Sequence, residues 1–126
     1  MLALKTVLAD QDEIPVLIFD EVDANVGGET AEAVGEKMRQ LGRRRQVLCV
    51  THLASVAARA TAHYQVAKHV QDHRTLTEIR LLDPAERVAE LARMLGGQSE
   101  TARRHAQALL KVSAAEAATP RPRDSP

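Results

Sequence analysis

The sequence predicts an α/β fold in which parallel strands joined by a crossover helix are followed by an antiparallel hairpin and C-terminal helices. Three observations carry this expectation. Two short, unbroken apolar runs, Val16-Leu17-Ile18-Phe19 and Val47-Leu48-Cys49-Val50, have the length and composition of parallel strands buried on both faces. Between them, Glu29 to Leu41 repeats apolar residues at helical spacing, so strand, helix and strand form one right-handed crossover unit. After them, partly alternating stretches surround a polar turn and lead into two more helical patterns.

Composition bounds what the chain can be. At 126 residues it is long enough for one modest domain with one hydrophobic core. Phe19 and Tyr64 are its only aromatic residues, so a core must be built from Leu, Val, Ile and Ala. So few large anchors point to a chain that is part of something larger. Basic and acidic residues both total 17, which argues against a strong global attraction to nucleic acid or an anionic membrane. Cys49 is the sole cysteine, excluding an internal disulfide framework and suiting a reducing cytosol. Met1 to Ala9 is not expected to act as a signal peptide, because Lys5 interrupts its apolar run and Asp10, Asp12 and Glu13 follow. No stretch is long enough to cross a bilayer, and a cytoplasmic location without membrane partners is expected.

Taken in order, Met1 to Leu8 reads as a short helix without a capping residue, as though cut in its middle. Pro15 opens the first strand, which stops at Asp20-Glu21, and Gly27-Gly28 closes the loop after it. The helix from Glu29 to Leu41 directs Ala31, Val34, Met38 and Leu41 to one face, with Gly42 expected as its C-terminal cap. The second strand ends at Thr51-His52, and a short helix from Leu53 to about Ala60 follows. Tyr64–Val70 and Thr75–Leu82 read as a hairpin around Gln71-Asp72-His73-Arg74. Asp83-Pro84, with Glu86 behind, has a capping-box pattern opening a helix that ends at Gly96-Gly97. A last helix is expected from about Ser99 to Val112, giving one unit over residues 1–112 and a disordered tail over 113–126.

Both apolar strands end in residues capable of chemistry, and neighbouring parallel strands bring such ends together. Four apolar residues before Asp20 form a Walker-B-type pattern, whose carboxylate holds Mg²⁺, often through water, beside nucleotide phosphates. The bland alternative is an acid that merely ends a buried strand. Glu21 supplies a second carboxylate that can orient and polarise an attacking water while Asp20 attends to the metal, against the alternative of a solvated loop residue. His52 can hydrogen-bond a terminal phosphate, although a lone histidine at a strand end is more often structural. His63, His69, His73 and His105 share no ligand spacing and read as surface or structural residues, and Cys49 reads as core. Asp23, Asn25, Gly27 and Gly28 form a polar loop, either simple turn chemistry or a reporter of nucleotide state to a facing subunit. The run Arg43-Arg44-Arg45 reads as a solvated helix end, with DNA contact the minority reading.

Together these residues resemble the C-terminal portion of an ABC-type ATPase head of the P-loop NTPase class, and more closely the SMC-like RecN family. Val16 to Gly28 resembles that family's Walker B and following loop, Val50-Thr51-His52-Leu53 its histidine switch, and Ala92-Arg93-Met94-Leu95-Gly96-Gly97 its ending. The resemblance covers roughly residues 1 to 112. It implies ATP and Mg²⁺ as cofactors, with Asp20 the Mg²⁺-associated acid, Glu21 the catalytic carboxylate and His52 the γ-phosphate sensor. Transporter ATPases usually place an Asp seven positions after the Walker B Asp; Gly27 stands there, which favours the narrower assignment and leaves no aspartate role to transfer. No G-x-x-x-x-G-K-[ST] loop and no Ser-Gly-Gly signature occurs in the sequence. The resemblance therefore implies that Met1 is an internal methionine and that the chain alone hydrolyses ATP little or not at all. It implies partners too: the rest of the head, a second head across ATP, and broken DNA through the complete protein. The alternatives from other classes are a non-catalytic remnant that pairs with another head, and a head from a chromosome-maintenance protein or transporter.

Overall fold

The computed structural model describes residues 15–21 and 25–119. The expected helix over Met1 to Leu8 lies outside the described residues. Strand β1 (Val16–Asp20), helix α1 (Glu29–Gly42) and strand β2 (Gln46–Val50) form the first unit. Helix α2 (Ala54–Ala57) follows, then the hairpin strands β3 (Tyr64–Gln71) and β4 (Arg74–Leu81), and finally helices α3 (Pro84–Met94) and α4 (Glu100–Ala118).

β1 and β2 pair in parallel, from Val16 opposite Gln46 to Asp20 opposite Val50. Side chains alternate across a strand, so Leu17, Phe19, Val47 and Cys49 turn together onto Met38, Leu41 and Val34 of α1. Phe19 is 2% exposed and anchors this layer. The expectation of burial on both faces is corrected: Ile18, Leu48 and Val50 are exposed. Only α1 covers the pair among the described residues, so one face remains open.

Gly28 is the N-cap of helix α1; its φ of 57° a side chain would disfavour, and its carbonyl accepts from the N–H groups of Ala31 and Glu32. Gly42 does not cap it as expected. It is the last helical residue, and Arg43 closes the helix in right-handed geometry while its N–H reaches the Gln40 carbonyl at 3.3 Å. The following helix is also shorter than expected, a single turn ending at Ala57.

The hairpin register runs from Tyr64–Leu81 to Gln71–Arg74, leaving Asp72 and His73 as a two-residue loop. Their φ values of 49° and 60° are those of a turn whose twist matches the strands. Asp83 caps α3: its side chain accepts from the Glu86 N–H at 2.8 Å, and the Glu86 carboxylate accepts from the Asp83 N–H at 2.9 Å. At the other end the Gly97 N–H returns to the Ala92 carbonyl and the Gly96 N–H to Arg93, a paired closure that needs the positive φ of Gly96.

A second core joins α2, α3 and α4 through Ala54, Ala57, Ala58, Leu91, Ala92 and Ala106. Small side chains let these helices approach closely, so the layer needs no aromatic anchor. Helix α4 does not end at Val112 but continues to Ala118. Ser113 is buried, and its carbonyl accepts from Arg39 of α1 at 3.0 Å. Arg59 binds Glu36 of α1 at 3.1 Å and also pairs with Glu116 of α4. Burial acts to raise the Glu36 carboxyl, but Gln40, Arg39 and Arg59 outweigh it and hold it below its ordinary value.

Candidate functional site

Asp20 is the last residue of β1 and stands opposite Val50, the last of β2. The register therefore brings Asp20-Glu21 and Thr51-His52 to the same carboxyl end of the parallel pair. In an open α/β sheet this is the end where ligands bind. Asp20, Glu21 and His52 are all exposed.

Local backbone geometry is distinctive at both strand ends. Glu21 has a φ of 52°, a left-handed conformation uncommon for a residue with a β-carbon. The chain thus turns sharply at the second carboxylate instead of continuing the strand. Across the pair, the Leu53 N–H donates to Thr51 Oγ1 at 3.0 Å, closing a small turn around His52. Beyond it, Arg87 of α3 donates to the carbonyls of Ala57, Ala58 and Ala60 at 3.1, 3.3 and 2.6 Å. A one-turn helix has little stability of its own, and this guanidinium ties its last residue and the segment just after it to α3. Burial lowers the Arg87 pKa from its ordinary value.

The loop after Glu21 is described in part. Asn25 has a φ of 63° and Gly27 is open, while Asp23 lies outside the described residues. Arg43-Arg44-Arg45 lead into the start of β2, at the opposite end of the sheet from Asp20 and His52. His69 lies on the hairpin near Glu78, and His63 is half-buried beneath α3; neither belongs to the strand-end cluster. A shallow hollow lined by Gln71, Asp72, Arg74 and Leu76 is at the hairpin turn and also lies apart from it.

Among the described residues no group of three or more His, Cys, Asp or Glu could hold a metal by itself. One exposed carboxylate beside a second acid nevertheless suits Mg²⁺, which keeps most of its waters and takes phosphate oxygens with one or two protein carboxylates. The sequence marked Thr51 only as part of the Thr51-His52 strand end, with no role of its own, and did not mark Arg87. The Thr51 turn was legible in principle, as a hydroxyl two residues before a helix start. The Arg87 contacts were not, because they span about thirty residues.

No protein-family model matches the chain. It is 53% identical over 111 residues to DNA repair protein RecN of Deinococcus radiodurans, covering 87% of this chain and 19% of that protein. It is 49% identical to DNA repair protein RecN of Treponema pallidum over 116 residues, and 44% identical to that of Bacillus subtilis over 113. These matches cover 90% and 88% of this chain, and 20% of each relative. The chain thus spans about a fifth of the length of the curated relatives it matches. A solved structure from work on the ATP-driven dimerization and DNA-stimulated activation of SMC ATPases superposes with a TM-score of 0.63 at 17% identity. That superposition covers 78% of this chain and 58% of the other. The chain belongs to the RecN family, and its fold is that found in an SMC-type ATPase head.

Proposed function

We propose that this chain supplies the hydrolytic edge of an ATP site in a DNA repair ATPase of the RecN type. The observation that carries this reading is the convergence of Asp20-Glu21 and Thr51-His52 at matched ends of two parallel strands. Asp20 would hold Mg²⁺, mostly through water, where the ion would neutralise charge on the phosphate oxygens. Glu21, whose backbone is left-handed where the strand ends, would orient the attacking water and accept its proton. His52 would donate a hydrogen bond to the terminal phosphate and align it with that water.

The chain has no Gly-rich phosphate loop of the G-x-x-x-x-G-K-[ST] type, so binding would require residues from the rest of a head. The open faces of Ile18, Leu48 and Val50 support such a further layer. A second head meeting the first across ATP, and DNA engaged through the complete protein, complete the proposed setting. By itself the chain would bind ATP weakly and turn it over little or not at all.

The test is Glu21→Gln in a complete RecN-type protein carrying this sequence. Replacing the proton acceptor with an amide of the same shape is expected to lower kcat by about 10²- to 10⁴-fold while ATP binding survives. Unchanged hydrolysis would sink the reading and leave a non-catalytic module that pairs with another head.

A further inference from the structure

We propose that Thr51 is a positioning residue for His52, setting through its hydroxyl the direction in which the imidazole meets the terminal phosphate. This inference rests on the reading of His52 as the phosphate sensor. Val50 is fixed by its place opposite Asp20 in the ladder. The Leu53 N–H is fixed by its 3.0 Å bond to Thr51 Oγ1. Downstream, the end of α2 and the residues just after it are held through the Arg87 contacts to Ala57, Ala58 and Ala60. His52 is thus the central residue of a turn closed by the side chain just before it, between two anchored stretches.

The residue type matters for a physical reason. Leu53 precedes α2 with extended backbone angles, φ −96° and ψ 122°, and makes no side-chain capping bond of its own. The Thr51 oxygen stands in for a backbone carbonyl in closing the turn. Its β-branched side chain is stiff about χ1, so the acceptor is held in place at small entropic cost. Without that acceptor the 51–53 backbone can unroll, and the His52 side chain moves with it. A displacement of about 1 Å at such a group is enough to lower a rate by roughly 10²-fold.

The experiment compares Thr51→Val, Thr51→Ser, His52→Ala and the Thr51→Val/His52→Ala double variant in a complete RecN-type protein carrying this sequence. Single-turnover ATP hydrolysis, ATP affinity and thermal midpoint are read for each. Val keeps the shape and loses the acceptor, while Ser keeps the acceptor. The expected result is a loss of about 10-fold or more in rate for Thr51→Val, with affinity and midpoint nearly unchanged and Ser restoring the rate. Thr51→Val should cause no further loss when His52 is already Ala, because its effect passes through that side chain. Full activity in Thr51→Val beside a crippled His52→Ala would overturn the proposal and leave the sensor reading standing. Additive losses in the double variant would overturn it as well, marking Thr51 as structural. Undiminished hydrolysis in His52→Ala would overturn the sensor reading and this proposal together.

Discussion

Asp20 and Val50 face each other on the last rung of the parallel ladder between β1 and β2. Adjacent strands lie about 4.8 Å apart and each residue advances about 3.3 Å. His52 lies two residues past Val50, at the same end of the ladder as Asp20. The geometry depends on register. A slip of one residue would also exchange the covered and open faces of the strand, so burial of Phe19 on α1 holds the chemical alignment in place.

Gly35 separates two opposing effects. In an exposed helix, Gly→Ala stabilises by about 0.5–1 kcal/mol. Here an added Cβ would meet Arg59 Cγ at 3.0 Å, and the Ser55 carbonyl oxygen and Val56 Cα at 3.3 Å. Overpacking of that kind costs about 1–3 kcal/mol, and it also disturbs the arginine that joins Glu36 to Glu116. Gly35→Ala is expected to be net destabilising, seen as a lower urea midpoint; a raised midpoint would show that α1 and α2 are not in this contact.

Leu91 is fully buried between the C-terminal helices. Leu91→Ala should cost about 2–5 kcal/mol, read from chemical denaturation. A cost under about 1 kcal/mol, typical of surface sites, would contradict the packing of α3 against α2 and α4.

The capping box of α3 gives a third expectation. Asp83→Ala removes the acceptor for the Glu86 N–H and should cost about 0.5–2 kcal/mol. Asp83→Asn should recover most of it. Equal losses in both variants would place the effect in charge instead of capping.

His63 predicts a pH dependence. Burial lowers its pKa from the ordinary value, and Arg87 lowers it further, opposed by Glu90. Its Nδ1 is buried without a hydrogen-bond partner. Below about pH 6.5 the unfolded chain takes up a proton that the folded chain resists, so stability should fall as pH falls through that value toward the lower folded pKa. Urea midpoints measured from pH 7.5 to pH 5.5 should drop in the unsubstituted protein and flatten in His63→Gln. The same slope in both would assign the dependence elsewhere.

Much of the local structure was determined by sequence alone, because its signals are short-range. Apolar runs marked β1 and β2, helical spacing marked α1, and Asp83, Pro84 and Glu86 announced the start of α3 within four residues. The four-residue hairpin turn was legible too, with Asp72 and His73 at its centre. Asp20, Glu21 and His52 were singled out by residue type at strand ends, and the register puts them at one end of the sheet.

Only the tertiary structure decided the rest. Ser113 to Ala118 looked like tail composition, yet Arg39 and Arg59 reach across from other elements and α4 continues through it. Gly42 looked like a cap, but α1 closes at Arg43. The Thr51 and Arg87 contacts became visible only when the Leu53 N–H and the Ala57, Ala58 and Ala60 carbonyls had positions in space. The physical reason is common to all of them. Periodicity, capping and turn chemistry act within a few residues along the chain, whereas partners for a guanidinium or a helix end are chosen by distance after folding.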